Sequence, residues 1–309
     1  MKVNRDLLPD FLIIGAGKSG TTSLDNYLKQ HPGVFMSPFK EPNFFAYEKH
    51  KAEDFDIAES RYHFEHESVT DIEDYTALFK DAAHGQIKGE TSNTYLYSPL
   101  TIDSIKSHIP DTKIIAIFRQ PAERLYSRYL HLARENMLPT KEFTDLFDKS
   151  TIWWSRPDLI NEGFYYKHLS KFYEAFPAEN IKVVLYEDLK EDVDALMRSI
   201  YEFIGVDSDF KTDTETVFNK SGFVKNKALN NLVGPNGVII KAAKSVAPAL
   251  AKWARSNDKI YNRLMKTRES NLSRPKLDPE LRKRIVDEIY IEDIQQLEKL
   301  INRNLSHWY

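Results

Sequence analysis

Cysteine is the most informative absence in this sequence, because none of the 309 residues is a cysteine. Disulfide bridges, thiol nucleophiles and thiolate metal sites are therefore excluded. Long apolar runs are also missing, since the run near the start extends only over residues 11–14. That length is far too short for a signal-peptide core or a membrane span. We therefore expect a cytoplasmic protein without a membrane span.

A strong charge of one sign is missing as well. The 43 lysines and arginines nearly balance the 46 aspartates and glutamates, which leaves a net charge of −3. The chain thus lacks the overall basic character of a nucleic-acid-binding protein, although a local basic cleft remains compatible with this balance. No repeat, low-complexity tract or linker divides the sequence, so we predict a single domain over residues 1–309.

Short apolar runs alternate with segments of helical periodicity along the chain. We predict buried strands at residues 10–15, 113–119 and 181–186, and a further short strand at residues 34–37. Helices are predicted at residues 21–31, from 121 to about 136, at 193–204 and at 277–302. Strands that are apolar throughout and are followed by helices indicate a parallel sheet covered on both faces. The predicted fold is therefore a three-layer α/β/α architecture with a mainly parallel central sheet.

The segment from Gly15 to Leu24 joins the first predicted strand to the first predicted helix. Its three glycines let the backbone approach an anion closely, and the helix N-terminus favours negative charge. A lysine and several hydroxyl side chains add donors. We therefore predict a phosphate-binding loop, whose candidate contacts are Gly17, Lys18, Ser19, Gly20, Thr21 and Thr22.

The spacing within this loop narrows the choice of anion. A Walker A loop requires G-x-x-x-x-G-K-[ST], and its first glycine would fall at Leu12. The dinucleotide pattern G-x-G-x-x-G is formally matched, but that pattern alone is weak. A lysine followed by Ser-Gly-Thr-Thr suits a terminal phosphate better than a buried pyrophosphate.

Three segments together resemble a known family. Residues 17–24 (GKSGTTSL), 31–32 (HP) and 40–45 (KEPNFF) are similar to the opening of the sulfotransferases that use 3′-phosphoadenosine 5′-phosphosulfate (PAPS). The last segment is most similar to the carbohydrate, heparan-sulfate-type branch. The resemblance implies the P-loop NTPase-like sulfotransferase fold and PAPS as co-substrate. It also implies that the loop binds the 5′-phosphosulfate and that Lys18 stabilises the leaving phosphate.

A second anion-binding segment follows the predicted strand at residues 113–119. Residues 119–129 (RQPAERLYSRY) match the family pattern Arg-x-Pro-x-x-Arg-x-x-Ser-x-Tyr. The resemblance implies that Arg119 and Ser127 hold the 3′-phosphate of the donor. It also places a loop that closes over the donor at residues 219–222, with Lys225 nearby.

Sulfuryl transfer needs a base that takes a proton from the acceptor. In the carbohydrate branch the glutamate of the KEPNFF segment has this role, which implies Glu41 as the base. Glu90 is the competing carboxylate, and we expect it to shape the acceptor cleft or to orient Lys18 or Lys40. A histidine is the base in the branch that acts on phenols and steroids, for which His31 and His131 are the candidates here.

The acceptor is the least determined part of the hypothesis. Lys40 and Glu90 are candidate acceptor contacts, and the aromatic segments 153–156 and 164–166 suit either a sugar surface or a packed core. A carbohydrate or glycoconjugate hydroxyl or amine is favoured over a small hydroxylated metabolite. No metal is expected, because the short polar group at residues 63–66 (HFEH) is typical of a solvated surface. The sequence gives no indication of the oligomeric state.

Two other classes of function compete with this hypothesis. A P-loop kinase or nucleotide phosphotransferase would need a proper Walker A loop, which this sequence does not supply. A non-catalytic nucleotide-binding protein of the same fold would have little need for the loop lysine, the glutamate of KEPNFF and the second anion-binding segment together.

Overall fold

A parallel sheet of five strands forms the centre of the protein. The computed structural model describes residues 5–54, 64, 68–135, 137–214, 223–224, 272–273 and 275–309. The five strands are β1 (Phe11–Ile13), β2 (Val34–Met36), β3 (Ile87–Thr91), β4 (Lys113–Phe118) and β5 (Ile181–Leu185). They lie in the order β2-β3-β1-β4-β5, and every neighbouring pair is parallel. The predicted α/β fold with a parallel central sheet is therefore confirmed.

Helices connect and cover these strands. The helices are α1 (Thr21–Leu28), α2 (Phe44–Tyr47), α3 (Ile72–Ala77), α4 (Thr101–His108), α5 (Pro121–Glu135), α6 (Ile152–Ser155), α7 (Tyr165–Ala175), α8 (Asp188–Glu191), α9 (Val193–Ile204), α10 (Pro279–Ile285) and α11 (Ile291–Ile301). A π-helical turn, Val286–Tyr290, joins the last two, so the helix predicted at 277–302 is present with one interruption. Two short strands, β6 (Phe223–Val224) and β7 (Leu272–Ser273), pair antiparallel outside the main sheet.

The apolar core divides into two clusters, one on each face of the sheet. Alternate residues along β1 belong to different clusters, with Leu12 in one and Phe11 and Ile13 in the other. The first cluster includes apolar residues of α5, α7 and α11, and the second includes those of α1 and α9. This division gives the α/β/α layering, because side chains of a strand alternate between the two faces of a sheet.

The helix predicted at residues 21–31 is shorter than expected. It ends at Leu28, and the His31 ring lies beyond it, where Nδ1 accepts a hydrogen bond of 2.9 Å from the Gly33 N–H. His31 is 3% exposed, and its Nε2 lies 2.9 Å from the Asp207 carbonyl oxygen. The histidine thus fixes the turn that leads from α1 into β2.

Strand β3 was not predicted from the sequence. Its residues, IKGET, include a single large apolar side chain, although Gly89, Glu90 and Thr91 are all buried. A Cβ atom at Gly89 would lie 2.1 Å from Cζ of Phe11 on the neighbouring strand. The ring of Phe11 therefore occupies the space that a side chain of β3 would fill. Apolar periodicity cannot reveal a strand whose packing depends on the side chain of its neighbour.

The carboxyl ends of the five strands meet at one edge of the sheet. The Gly15–Gly20 loop follows β1, Glu41 follows β2, and Asn93 follows β3. Arg119 comes directly after β4. Parallel α/β sheets bind their ligands at this edge, so the fold brings the predicted site residues to one place. Across the described part of the chain, none of the helices has the length and apolarity that a bilayer span requires.

Candidate active site

A cleft of about 1490 Å³ opens at the carboxyl edge of the sheet. Segments that follow all five strands line it, together with residues near the C-terminus such as Arg282 and Trp308. The predicted site residues that line this cleft are Gly17, Lys18, Gly20, Thr21, Thr22, Lys40, Glu41, Arg119 and Ser127. Ser19 and Glu90 do not line it. The structure thus brings together both predicted anion-binding segments and the predicted base.

The loop after β1 has an unusual backbone. Gly15 and Gly20 have φ angles of 137° and 106°, which side chains rarely tolerate. Lys18 is also left-handed, with a φ of 67°. Gly20 stands at the N-cap of α1, and Gly20, Thr21 and Thr22 line the cleft, so the N-terminus of this helix borders it. Ser19 is fully buried, and its N–H donates to the Ala16 carbonyl oxygen over 3.3 Å.

Lys18 is half-buried in the cleft, in a cationic neighbourhood. Burial, together with the charges of Arg128, Arg134 and Lys40, lowers its pKa to about 7, while Glu41 has an opposing, raising effect. Because this pKa lies near neutral pH, a negative charge placed nearby changes the fraction of Lys18 that is protonated. An anion bound beside Lys18 would stabilise the protonated form.

Glu41 lies in a short hydrogen-bonded network that reaches the loop. Asn93 Nδ2 donates to Glu41 Oε1 over 2.9 Å, and Lys40 Nζ lies 3.5 Å from the same oxygen. Lys40 Nζ also donates to Thr22 Oγ1 over 2.6 Å. The Glu41 side chain is 42% exposed, so its carboxylate is accessible from the cleft. Lys40 therefore connects the candidate base to the phosphate-binding loop.

Arg119 and Ser127 lie on the other side of the loop, at the end of β4 and in α5. Arg119 donates to Glu123 Oε2 over 3.0 Å, and its guanidinium lies 4.9 Å from the centre of the Tyr186 ring. Ser127 is 9% exposed where it borders the cleft. Both residues line the cleft, and their role as a second anion-binding position stays a prediction.

Glu90 lies apart from the other predicted site residues. Its side chain is completely buried, and its carboxylate accepts hydrogen bonds from the Tyr75 hydroxyl over 3.1 Å and from Ser92 Oγ over 2.8 Å. Burial raises the pKa of Glu90 to about 7, against the lowering effect of these hydroxyl donors. These partners hold Glu90 outside the cleft lining. It contacts neither Lys18 nor Lys40, whereas the sequence suggested an orienting contact with one of them.

The two candidate histidines also differ in position. His31 is buried in the turn described above, away from the cleft lining. His131 lines the cleft, and Arg134 Nη2 lies 2.9 Å from its Nδ1. Burial and the charges of Lys18, Arg128 and Arg134 lower the pKa of His131 to about 2. A neutral imidazole with this pKa is a poor proton acceptor, which favours Glu41 as the base.

Several cleft residues were not recognised from the sequence. Glu162 is 2% exposed, and its Oε1 accepts the Gly17 N–H over 2.6 Å. Asp158 pairs with Arg128 and Arg156, which hold the pKa of its carboxyl well below the usual range despite its burial. Glu162 and Asp158 lie between α6 and α7, Glu162 in the 3-10 turn Asn161–Gly163, and neither periodicity nor a known motif distinguishes them there.

The aromatic segments expected near the acceptor contribute little to the cleft. Trp153 and Tyr165 are fully buried in the core, and Arg156 is the residue of the 153–156 segment that lines the cleft. Tyr47, Tyr97 and Tyr126 line it instead.

Among the residues that the structure describes, no group of three or more histidines and carboxylates could hold a metal ion. The 63–66 group, apart from Phe64, and the predicted closing loop at 219–222 with Lys225 lie outside the described residues.

Comparison with known proteins agrees with the fold. The model of the sulfotransferase family matches residues 9–210. Mouse carbohydrate sulfotransferase 15 is 27% identical over 64% of this chain and 44% of its own. Mouse heparan sulfate glucosamine 3-O-sulfotransferase 3A1 is 28% identical over 69% of this chain and 50% of its own. The chain thus spans half or less of the length of these two relatives.

A solved bacterial structure extends the similarity to nearly the whole chain. The sulfotransferase from Alicyclobacillus acidocaldarius superposes with a TM-score of 0.70 at 25% identity, covering 97% of this chain and 98% of its own. The sulfotransferase domain from the curacin biosynthetic pathway shares the fold, with a TM-score of 0.50 at 12% identity. The predicted family and its fold are confirmed, whereas the cellular location and the single domain stay predictions. The chain belongs to the sulfotransferase family.

Proposed function

We propose that this protein transfers the sulfuryl group of PAPS to a hydroxyl or amine of a carbohydrate or glycoconjugate. The observation that carries the proposal is the order of the groups along the sheet edge. The β1 loop with Lys18 lies between Glu41, which follows β2, and Arg119, which follows β4. A base, a loop for the reacting end of the donor and a second anion-binding position thus follow one another across a single cleft.

The residues present suit the two anionic ends of PAPS. Lys18, Thr21, Thr22 and the N-terminus of α1 would hold the 5′-phosphosulfate, because cationic and N–H donors stabilise an anion there. Arg119 and Ser127 would hold the 3′-phosphate, for which a guanidinium is well suited. These donors line a cleft whose volume can contain a nucleotide.

The proposed chemistry is an in-line displacement at sulfur. Glu41 receives the proton of the acceptor hydroxyl or amine as the acceptor atom bonds to sulfur. The bond between sulfur and the bridging phosphate oxygen breaks at the same centre, and Lys18 balances the negative charge that develops on this oxygen. Lys40 donates a hydrogen bond to Thr22 and lies close to Glu41, so it places positive charge beside both the loop and the base.

Support for a carbohydrate acceptor comes from the names of the two mouse relatives and from the cleft lining. Tyr47, Tyr97 and Tyr126 offer aromatic faces, and Lys40 and Arg128 offer hydrogen-bond donors to a hydroxylated ligand. A small hydroxylated metabolite is the alternative acceptor. A screen with labelled PAPS across glycans, lipid-linked sugars and small alcohols separates the two, because each acceptor class gives a distinct labelled product.

Calorimetry tests the donor assignment. We expect tight binding of adenosine 3′,5′-bisphosphate and no comparable binding of ATP with Mg²⁺. Arg119→Ala should weaken binding of the bisphosphate by about tenfold or more while leaving turnover at saturating donor nearly unchanged, because it removes charge-assisted hydrogen bonds to the 3′-phosphate. Binding of ATP without binding of the bisphosphate would instead indicate a phosphotransferase.

A further inference from the structure

The phosphate-binding loop is attached to the interior by a buried ion pair that the proposed chemistry does not use. Glu162 and Arg124 form this pair, with side chains that are 3% and 0% exposed. Glu162 Oε1 accepts the Gly17 N–H over 2.6 Å, and Arg124 Nε donates to the Gly17 carbonyl oxygen over 3.1 Å. Both polar groups of one loop residue are therefore bonded to the same pair of charges.

These two hydrogen bonds fix two consecutive peptide planes. The Gly17 N–H belongs to the peptide that joins Ala16 to Gly17, and the Gly17 carbonyl belongs to the peptide that joins Gly17 to Lys18. In a planar trans peptide the C=O and N–H point in opposite directions. Since the Gly17 carbonyl points to Arg124, the Lys18 N–H lies on the opposite edge of its peptide. Arg124 thus sets the direction of the N–H of Lys18, whose own φ of 67° is left-handed.

The ion pair also explains the glycine at position 17. Gly17 is not among the glycines with a positive φ, so its backbone conformation alone does not demand glycine. A Cβ atom there would lie 3.1 Å from Glu162 Oε1. The missing side chain allows the carboxylate to reach the backbone N–H. This close approach supports a role for Glu162 at the loop.

Arg124 is held in turn by a third part of the chain. Its Nη1 donates to the Leu159 carbonyl oxygen and its Nη2 to the Asp158 carbonyl oxygen, each over 2.7 Å. The guanidinium therefore connects α5, the 158–162 segment and the phosphate-binding loop. A planar group with donors in a fixed fork is suited to holding several acceptors in one geometry.

We propose that Glu162 and Arg124 are positioning residues that hold the loop in the geometry required by the 5′ end of the donor. The inference rests on the proposed function, because it assigns the loop to that end. The pair acts through Gly17 and Lys18 and does not contact the reacting atoms. Its removal should affect recognition of the 5′-phosphate and leave recognition of the 3′-phosphate nearly unchanged.

Two nucleotides distinguish this role from a general structural one. We would measure binding of adenosine 3′,5′-bisphosphate and of adenosine 3′-phosphate, which lacks the 5′ group, to the wild type and to Glu162→Gln. The glutamine cannot accept from both Gly17 and Arg124 as the carboxylate does. We expect the Kd for the bisphosphate to rise by at least about tenfold, as for loss of a charge-assisted hydrogen bond, and the Kd for the 3′-phosphate to change less than about twofold.

Glu48→Gln is a matched control, because Glu48 is also a largely buried carboxylate, bonded to His108 and Ser104, and lies outside the cleft lining. We expect it to bind both nucleotides like the wild type. If Glu162→Gln does not fold, Gly17→Ala provides the same test with both charges in place, and we expect the same selective loss.

Equal weakening of both nucleotides, or unchanged binding of the bisphosphate by a folded variant, would overturn the positioning role. A wild-type protein that binds neither nucleotide would overturn the proposed function as well. The two failures are distinguishable, because only the second appears in the unmodified protein.

Discussion

At the scale of single residues, Glu41 combines an exposed carboxylate with a constrained backbone. Its φ of 60° lies in the left-handed region, which is unfavourable for a side chain other than glycine, asparagine or aspartate. The Glu41 N–H donates to the Thr91 carbonyl oxygen over 2.9 Å, and Asn93 holds the carboxylate. Contacts with the end of β3 thus maintain a conformation that directs Glu41 into the cleft. Such local strain is typical of residues whose position matters for function.

The first prediction concerns Glu41 as the base. Glu41→Gln keeps the shape of the side chain but cannot accept a proton, so turnover should fall by roughly 10²-fold or more while binding of adenosine 3′,5′-bisphosphate stays nearly intact. Steady-state kinetics at saturating donor, together with calorimetry, measure the two effects. Glu288→Gln is a suitable control, because this carboxylate is similarly exposed, at 48%, and lies outside the cleft lining. Near-normal turnover of Glu41→Gln would require another base.

The second prediction concerns the pH dependence of donor binding. The pKa of Lys18 is about 7 in the free protein, so Lys18 is protonated below this pH and increasingly neutral above it. A bound phosphate favours the protonated form. Affinity for adenosine 3′,5′-bisphosphate should therefore fall as the pH rises from 7 to 9, by up to about tenfold per unit, with proton uptake on binding.

Calorimetry in two buffers with different ionisation heats measures this proton uptake. Lys18→Gln should bind more weakly and show a much flatter dependence over the same range. An identical slope in the wild type and in Lys18→Gln would assign the titration to another group.

At the scale of elements, the packing of β3 against β1 depends on one glycine and one ring. Phe11 pairs in register with Gly89 across the two strands, and its ring covers the glycine. β3 also carries Glu90 and Thr91 towards the cleft side of the sheet, and Thr91 accepts the Glu41 N–H through its carbonyl oxygen. The position of the candidate base therefore depends on this packing.

The third prediction follows from that contact. Gly89→Ala places a Cβ atom 2.1 Å from Phe11 Cζ, and overpacking of this kind destabilises proteins by about 1–3 kcal/mol or more. Denaturant unfolding should show this loss of stability. Combining it with Phe11→Leu, which removes the ring, should recover part of the loss. If the double variant shows the simple sum of both single losses, the two residues do not interact as the structure indicates.

At the scale of the whole molecule, the sequence reveals the parts of the fold that use continuous apolar runs. β1, β4 and β5 were predicted because their residues are apolar on both faces, and α9 was predicted at its observed bounds. The loop and Arg119 were found because their motifs are local in the sequence. Glu162 was missed because its role depends on contact with Gly17, 145 residues away. Long-range contacts of this kind leave no periodic or local pattern in a sequence.

Part of the cleft lining comes from residues late in the sequence, such as Arg282 and Trp308, and this has a consequence for synthesis of the protein. Gln120 Nε2 donates to the carbonyl oxygen of Trp308 over 3.0 Å, across 188 positions of the chain, beside the arginine proposed to hold the 3′-phosphate. Arg282 also donates to the His307 carbonyl oxygen over 2.9 Å. A ribosome releases the chain from its N-terminus, so the loop after β1 emerges long before the residues that complete its cleft. A nascent chain therefore cannot form the complete cleft until residue 308 has left the exit tunnel.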